Sequence, residues 1–132
     1  AQKMVGDPSP QVRREIAILL RGETSNEAAS IWMKLALAHA GRDRWYLEAL
    51  GIGAEGQWDK FFRQWESQVG DDWNEPKHHD IIWRARTPAA CRYLAEIIAE
   101  SPTVETQQRY FRALDFHQSD EKIAALQSLL AR

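Results

Sequence analysis

The only place in this sequence where imidazole and carboxylate adjoin is His78-His79-Asp80. Those groups together can hold a metal or move protons. Neighbouring residues on a helix point in different directions, however, so a working site needs a second segment. His39 or His117 would join only through folding. The plainer reading is a polar stretch with Asp80 near a helix start, where a negative charge suits the dipole. Cys91 is the single cysteine. A helix start can lower a thiol pKa, but no histidine lies at helical spacing from it, so it reads as a structural thiol. Glu15, Glu48 and Asp115 share one helix layer. General acid/base chemistry needs two carboxylates held across a pocket; ordinary ion pairs are the alternative.

The sequence has 6 tryptophans. Trp32, Trp58 and Trp65 fall on core stripes. Trp45 and Trp83 sit one position away from a core residue, with Arg44, Arg84, Arg86 and Arg112 nearby. Aromatic rings interleaved with arginine can bind a sugar, an anion, a nucleobase or a partner peptide. In the competing reading the rings fill gaps between repeats and the arginines pair with Glu48 and Asp115. Two exposed indoles in a cleft would favour a small ligand, and burial of both would remove that reading. If Arg86 lies on an exposed binding face, Arg86→Ala should be nearly silent for stability.

Catalytic motifs are missing. There is no Gly-rich phosphate loop, Gly-x-Ser-x-Gly, His-Glu-x-x-His or Cys-x-x-Cys-His. No catalytic residue, metal ligand or cofactor site is therefore expected within the chain.

The elements that must position these residues are all helical. Ser9-Pro10 starts a helix carrying Val12, Ile16, Leu19 and Leu20, with Gly22 as its stop. Asp7-Pro8 belongs to the same start signal. Thr24-x-x-Glu27 has capping-box form; Ala28, Ile31, Trp32, Leu35 and His39 follow on one face, up to Gly41. Asp43 to Gly53 carries Tyr46, Ala49 and Leu50. Trp58, Phe61, Phe62, Trp65 and Val69 run to Gly70. After the polar stretch Asp71–Lys77, a short helix is expected over His79 to Arg86. Thr87-Pro88 then opens the stripe Ala90, Tyr93, Leu94, Ile97 and Ile98, which Ser101-Pro102 breaks. Gln107, Tyr110, Phe111 and Leu114 form the next face. Ser119 caps a last helix carrying Ile123, Leu126 and Leu130. No stretch alternates with the period of a strand.

The eight helices pair. Ala17, Ala49, Ala85 and Ala113 mark four of them, at spacings of 32, 36 and 28 residues. A drifting period near thirty is that of a degenerate helical repeat. The expected fold is all-α: a HEAT-like α-solenoid of about four helix pairs, in a right-handed superhelix, over residues 1–132 as one domain. Ala1–Val5 read as the last turn of a helix whose beginning is missing, which suggests a segment cut from a longer protein.

Composition fits this picture. The 132 residues are 44% hydrophobic and 27% charged, with 17 Lys+Arg against 19 Asp+Glu and a net charge of −2. That is ordinary globular composition. It lacks the basic surplus of a nucleic-acid binder, and no apolar run is long enough for a membrane span.

The string Asp43-Arg44-Trp45-Tyr46-Leu47-Glu48-Ala49-Leu50-Gly51-Ile52-Gly53-Ala54 is followed by Trp58-Asp59-Lys60-Phe61-Phe62, Trp83-Arg84-Ala85-Arg86 and Tyr110-Phe111-Arg112-Ala113-Leu114-Asp115-Phe116-His117. Together these resemble, over residues 7–130, the HEAT-repeat segment of large bacterial proteins of the Planctomycetes–Verrucomicrobia type. Those are membrane-bound dehydrogenases with haem-binding domains. In that family a β-propeller precedes the helical repeats and a c-type cytochrome domain commonly follows them. Neither is present here, so no catalytic or haem-ligating residue carries over. The resemblance implies a non-catalytic spacer or docking module of an extracytoplasmic redox protein, its partners being the flanking domains or another protein. Two other functions fit the residues: a HEAT-like DNA glycosylase, using Trp and an acid on a basic concave face, or a small-ligand binder with a saccharide or haem-like group stacked on Trp45 or Trp83. The net charge and the absence of a lysine-rich stripe weigh against the first.

Overall fold

The computed structural model describes residues 9–39 and 43–131. The sequence features at Ala1–Val5, Asp7-Pro8 and Gly41 lie outside them. Among the described residues the fold is all-α, with eight α-helices, two short 3₁₀ turns and no strand. The helices are α1 (Pro10–Leu19), α2 (Asn26–Leu37), α3 (Arg44–Ala54), α4 (Trp58–Val69), α5 (Pro76–Arg84), α6 (Cys91–Glu100), α7 (Val104–Asp115) and α8 (Asp120–Leu130). No helix among the described residues is long and apolar enough to cross a membrane.

Local chemistry sets most of these boundaries. The Ser9 hydroxyl accepts from the Val12 N–H at 3.4 Å, with Pro10 in the first turn. Asp43 accepts from Tyr46 N–H at 3.0 Å, and Ser119 from Lys122 N–H at 3.3 Å. These side chains satisfy amides that have no partner within the helix. At α2 the expected cap is off by one residue: Ser25, not Thr24, accepts from Ala28 N–H at 3.0 Å. At α5 the helix runs from Pro76 to Arg84 rather than from His79 to Arg86. Pro76 suits a first turn, and the preceding polar stretch winds into a 3₁₀ turn over Gly70–Asn74. Thr87 makes no side-chain cap; Pro88–Ala90 form a second 3₁₀ turn leading into α6.

The chain divides into two compact units, with the boundary between Ile81 and Ile82, inside α5. In the first unit α1 packs on α3 and α2 packs on α4, with lighter contact from α1 to α2 and from α2 to α3. Gly53 of α3 meets the backbone of Ala17 in α1: a Cβ there would lie 2.0 Å from the Ala17 carbonyl oxygen. Between α2 and α4, Trp32 meets Trp58 edge-on at 5.5 Å and lies 5.8 Å from Phe61. The Trp32 indole N–H donates to the Leu50 carbonyl at 2.9 Å, tying α2 to α3.

In the second unit α6 packs on both α7 and α8. Its core holds Tyr93, Leu94, Ile97, Ile98, Tyr110 and Leu114. Two expectations fail here. Phe111 is exposed, and Ala113 is buried beside Leu114 instead. On α8, Ile123, Leu126 and Leu130 are all exposed and only Ala125 is buried. Helical spacing identifies an apolar stripe, but it does not say whether another element of the chain covers that stripe. The four marker alanines Ala17, Ala49, Ala85 and Ala113 are all buried.

Candidate functional site: a tryptophan cleft between α1 and α3

Packing of α1 on α3 leaves an open cleft of about 630 Å³ lined by both helices. Arg14, Glu15 and Ile18 line it from α1; Trp45, Glu48, Ala49 and Ile52 line it from α3. Trp45 is 72% exposed, the most exposed of the large aromatic side chains. Helical geometry turns it outward. Tyr46, Leu47, Ala49 and Leu50 take the buried face, and Trp45, Glu48 and Ile52 recur at i, i+3 and i+7 on another.

The cleft is held by its surroundings. Asp43 caps α3 two residues before Trp45, and the same carboxylate oxygen lies 3.9 Å from Arg14 Nη1. One residue beyond Trp45, the buried Tyr46 hydroxyl donates to the Leu35 carbonyl at 2.5 Å, and the Arg13 guanidinium lies 5.7 Å from its ring. Burial, outweighing the opposing Arg13 cation, raises the Tyr46 pKa, so the phenol stays a neutral donor. The exposed indole therefore stands on an anchored helix start. The arrangement sets an indole face, two isoleucines, two carboxylates and the Arg14 guanidinium around one open cleft.

The residues singled out in the sequence are distributed as follows. Glu15 and Glu48 meet at the Trp45 cleft. Asp115 belongs to the second unit, where it is exposed. Arg44 and Arg112 are exposed, and Arg84 is half-buried. Trp83 is half-buried; its indole N–H donates to the Arg109 carbonyl at 3.2 Å, and the Arg109 guanidinium lies 4.6 Å from its ring. Arg86 is half-buried too. Its Nη1 donates to the carbonyls of Trp83, Arg84 and Ala85 at 3.0–3.4 Å, and its guanidinium lies 4.0 Å from the Phe116 ring. The exposure on which a silent Arg86→Ala depended is thus not found.

The histidines separate. His78 is buried against the edge of Trp65, with ring centroids 5.7 Å apart. Burial and the Lys77 cation lower its pKa against the weaker pull of Glu75 and Asp72. His79 is hydrogen-bonded to the carbonyl and side-chain oxygens of Asn74, at 3.1 and 2.9 Å. Asp80 instead meets His39, whose Nε2 lies 3.1 Å from Oδ2. The His39 ring stacks on Tyr46 and its side chain is 1% exposed. A general base must reach a substrate proton, which the buried His39 ring does not; its contact with Asp80 ties the residues just after α2 to α5. Among the described residues no three His, Cys, Asp or Glu side chains gather as a metal site requires. Cys91 is fully buried at the start of α6; burial pushes its thiol up and outweighs the Ser119 hydrogen bond.

Sequence reasoning noticed Trp45, Glu15 and Glu48 but did not join them. The available signal was a second stripe on each helix: Trp45, Glu48, Ile52 on α3 and Glu15, Ile18 on α1. The His39–Asp80 pair left no local signal, because its partners lie 41 residues apart.

Comparison with known proteins gives no match to a family model, a curated protein or a solved structure.

Proposed function

We propose that this chain is a non-catalytic helical-repeat module that docks a protein partner on its α1–α3 face. The observation that carries the reading is Trp45, 72% exposed over a cleft. Tryptophan is the residue type most often found at energetic hot spots of interfaces. The alternation of α1 on α3 and α2 on α4 supports a HEAT-like arrangement, which this reading extends to about four pairs in a right-handed superhelix. The finer role is that of a spacer between dehydrogenase-like and cytochrome-like domains of an extracytoplasmic redox protein, and its support is the family resemblance alone. Glu15 and Glu48 beside the indole favour a protein partner over DNA, whose phosphates need lysine and arginine. The half-burial of Trp83 under Arg109 favours it over a sugar held between two open indoles.

The spacer role is tested by sequencing the full open reading frame and titrating each flanking segment, produced separately, onto this chain. A saturable complex that weakens at least tenfold with Trp45→Ala is the expected result. A frame without flanking domains, or flanks that do not bind, removes the spacer role.

A further inference from the structure

We propose that His117 is a proton-operated latch: its neutral ring holds the α7–α8 corner closed, and protonation releases α8 from α6. The latch lies wholly within the second compact unit and does not depend on the docking role proposed above. His117 follows Phe116, the C-cap of α7, and precedes Ser119, the N-cap of α8; it is 5% exposed. Its ring is hydrogen-bonded to the backbone of Ala85, just past the end of α5. The Nε2 atom is buried and, among the described residues, has no hydrogen-bond partner. A neutral imidazole carries one N–H and a protonated one carries two. Protonation would therefore place a second donor where nothing accepts it, which is costly in a buried site.

The charges that face the ring oppose protonation as well. They are Arg86, two residues past α5, and Lys122, in the first turn of α8; among the described residues no carboxylate faces it. Arg86 is held in place, since its Nη1 donates to the carbonyls of Trp83, Arg84 and Ala85 and its guanidinium lies 4.0 Å from the Phe116 ring. Burial comes first in pushing the His117 pKa down, and the two cations add to it. The conflict is relieved at α8 because α8 is the neighbour with least to lose. It buries Ala125 alone, whereas α7 buries Tyr110, Ala113 and Leu114, and α6 buries Tyr93, Leu94, Ile97 and Ile98 among others. Local opening is cheapest where few apolar contacts break. Release of α8 gives the imidazolium water and carries Lys122 away from it.

Residue-resolved hydrogen exchange of the full chain at pH 7.5 and 5.5 tests this, each rate being divided by the intrinsic amide rate at that pH. An opening that takes up one proton at the exposed-histidine value of about 6.5 becomes up to about tenfold more frequent over this interval. That rise is expected for the amides of α8, with a smaller one for those of α6. His117→Gln, which keeps a neutral hydrogen-bonding side chain, should abolish the α8 response. His78→Gln, which alters the other buried histidine, should leave it in place. An α8 response absent from the parent, shared equally by α6, or retained in His117→Gln would overturn the latch. If His117→Gln does not fold, the parent and His78→Gln decide: loss of the α8 response in His78→Gln would overturn the latch, and its persistence there with α6 responding less would support it.

Discussion

Arg86 and Trp45 have similar surroundings in the sequence, an arginine beside a tryptophan, yet the fold uses them differently. Arg86 gathers the last carbonyls of α5, where helix geometry leaves them without amide partners. Its positive charge also suits that end of the helix dipole. Arg86→Ala should cost about 1–2 kcal/mol in urea unfolding, as loss of a charged hydrogen-bonding group does, and Arg86→Lys should recover part of that. An unchanged midpoint would mean that these bonds do not form in solution. Asp80 is tested the same way. Asp80→Ala leaves the buried His39 ring without its carboxylate and should cost about 1–3 kcal/mol. At this scale the sequence was informative about residue type and poor about assignment. Trp45 stood out because it lies beside a core position. Whether its neighbour Glu48 meets Glu15, and whether Asp80 meets His39 rather than His78 or His79, depends on packing between helices distant in the chain.

Helices with one dominant apolar face were legible residue by residue. All five stripe positions of α4, namely Trp58, Phe61, Phe62, Trp65 and Val69, are buried, because large side chains at i, i+3, i+4 and i+7 leave a helix one way to face its core. Trp65→Ala and Ile97→Ala should each cost about 2–5 kcal/mol, the range for truncating large buried side chains; thermal melts that show no loss would contradict the packing of α4 and α6. Failure came where apolar spacing occurs without a covering element, as with Ile123, Leu126 and Leu130 on α8, and where two polar residues compete for one cap, as with Thr24 and Ser25. A closer test of element packing is Gly53. In an exposed helix interior Gly→Ala gains about 1 kcal/mol from propensity alone. Here the added methyl would lie 2.0 Å from the Ala17 carbonyl oxygen, so α1 and α3 would have to move apart. Gly53→Ala should therefore destabilise, by about 1–3 kcal/mol as overpacking does, and should also disturb the Trp45 cleft that the two helices form. A stabilised variant would mean that α1 and α3 do not approach this closely.

For the whole molecule, a net charge of −2 conceals two local arrangements that matter more than the sum. One is the carboxylate-lined cleft. The other is a pair of neutral histidines, one in each compact unit: His78 under Trp65, and His117, buried near the Arg86 and Lys122 cations. Burial comes first in lowering both pKa values, and the neighbouring cations add to it; for His117 the hydrogen bond with the Ala85 backbone opposes without reversing the shift. A histidine whose pKa is lower in the folded state binds protons more readily when the chain unfolds. Folding stability must then rise with pH across the interval between the two values. The stabilising contribution is fully present above the unfolded histidine value of about 6.5, and it is lost as pH falls through that value toward the folded one. The melting temperature should therefore drop as pH goes from 7.5 to 5.5. The slope should flatten in the double variant His78→Gln/His117→Gln, even if that variant starts from a lower melting temperature. A melting temperature that climbs on acidification, or a slope unchanged in the double variant, would place the titrating groups elsewhere.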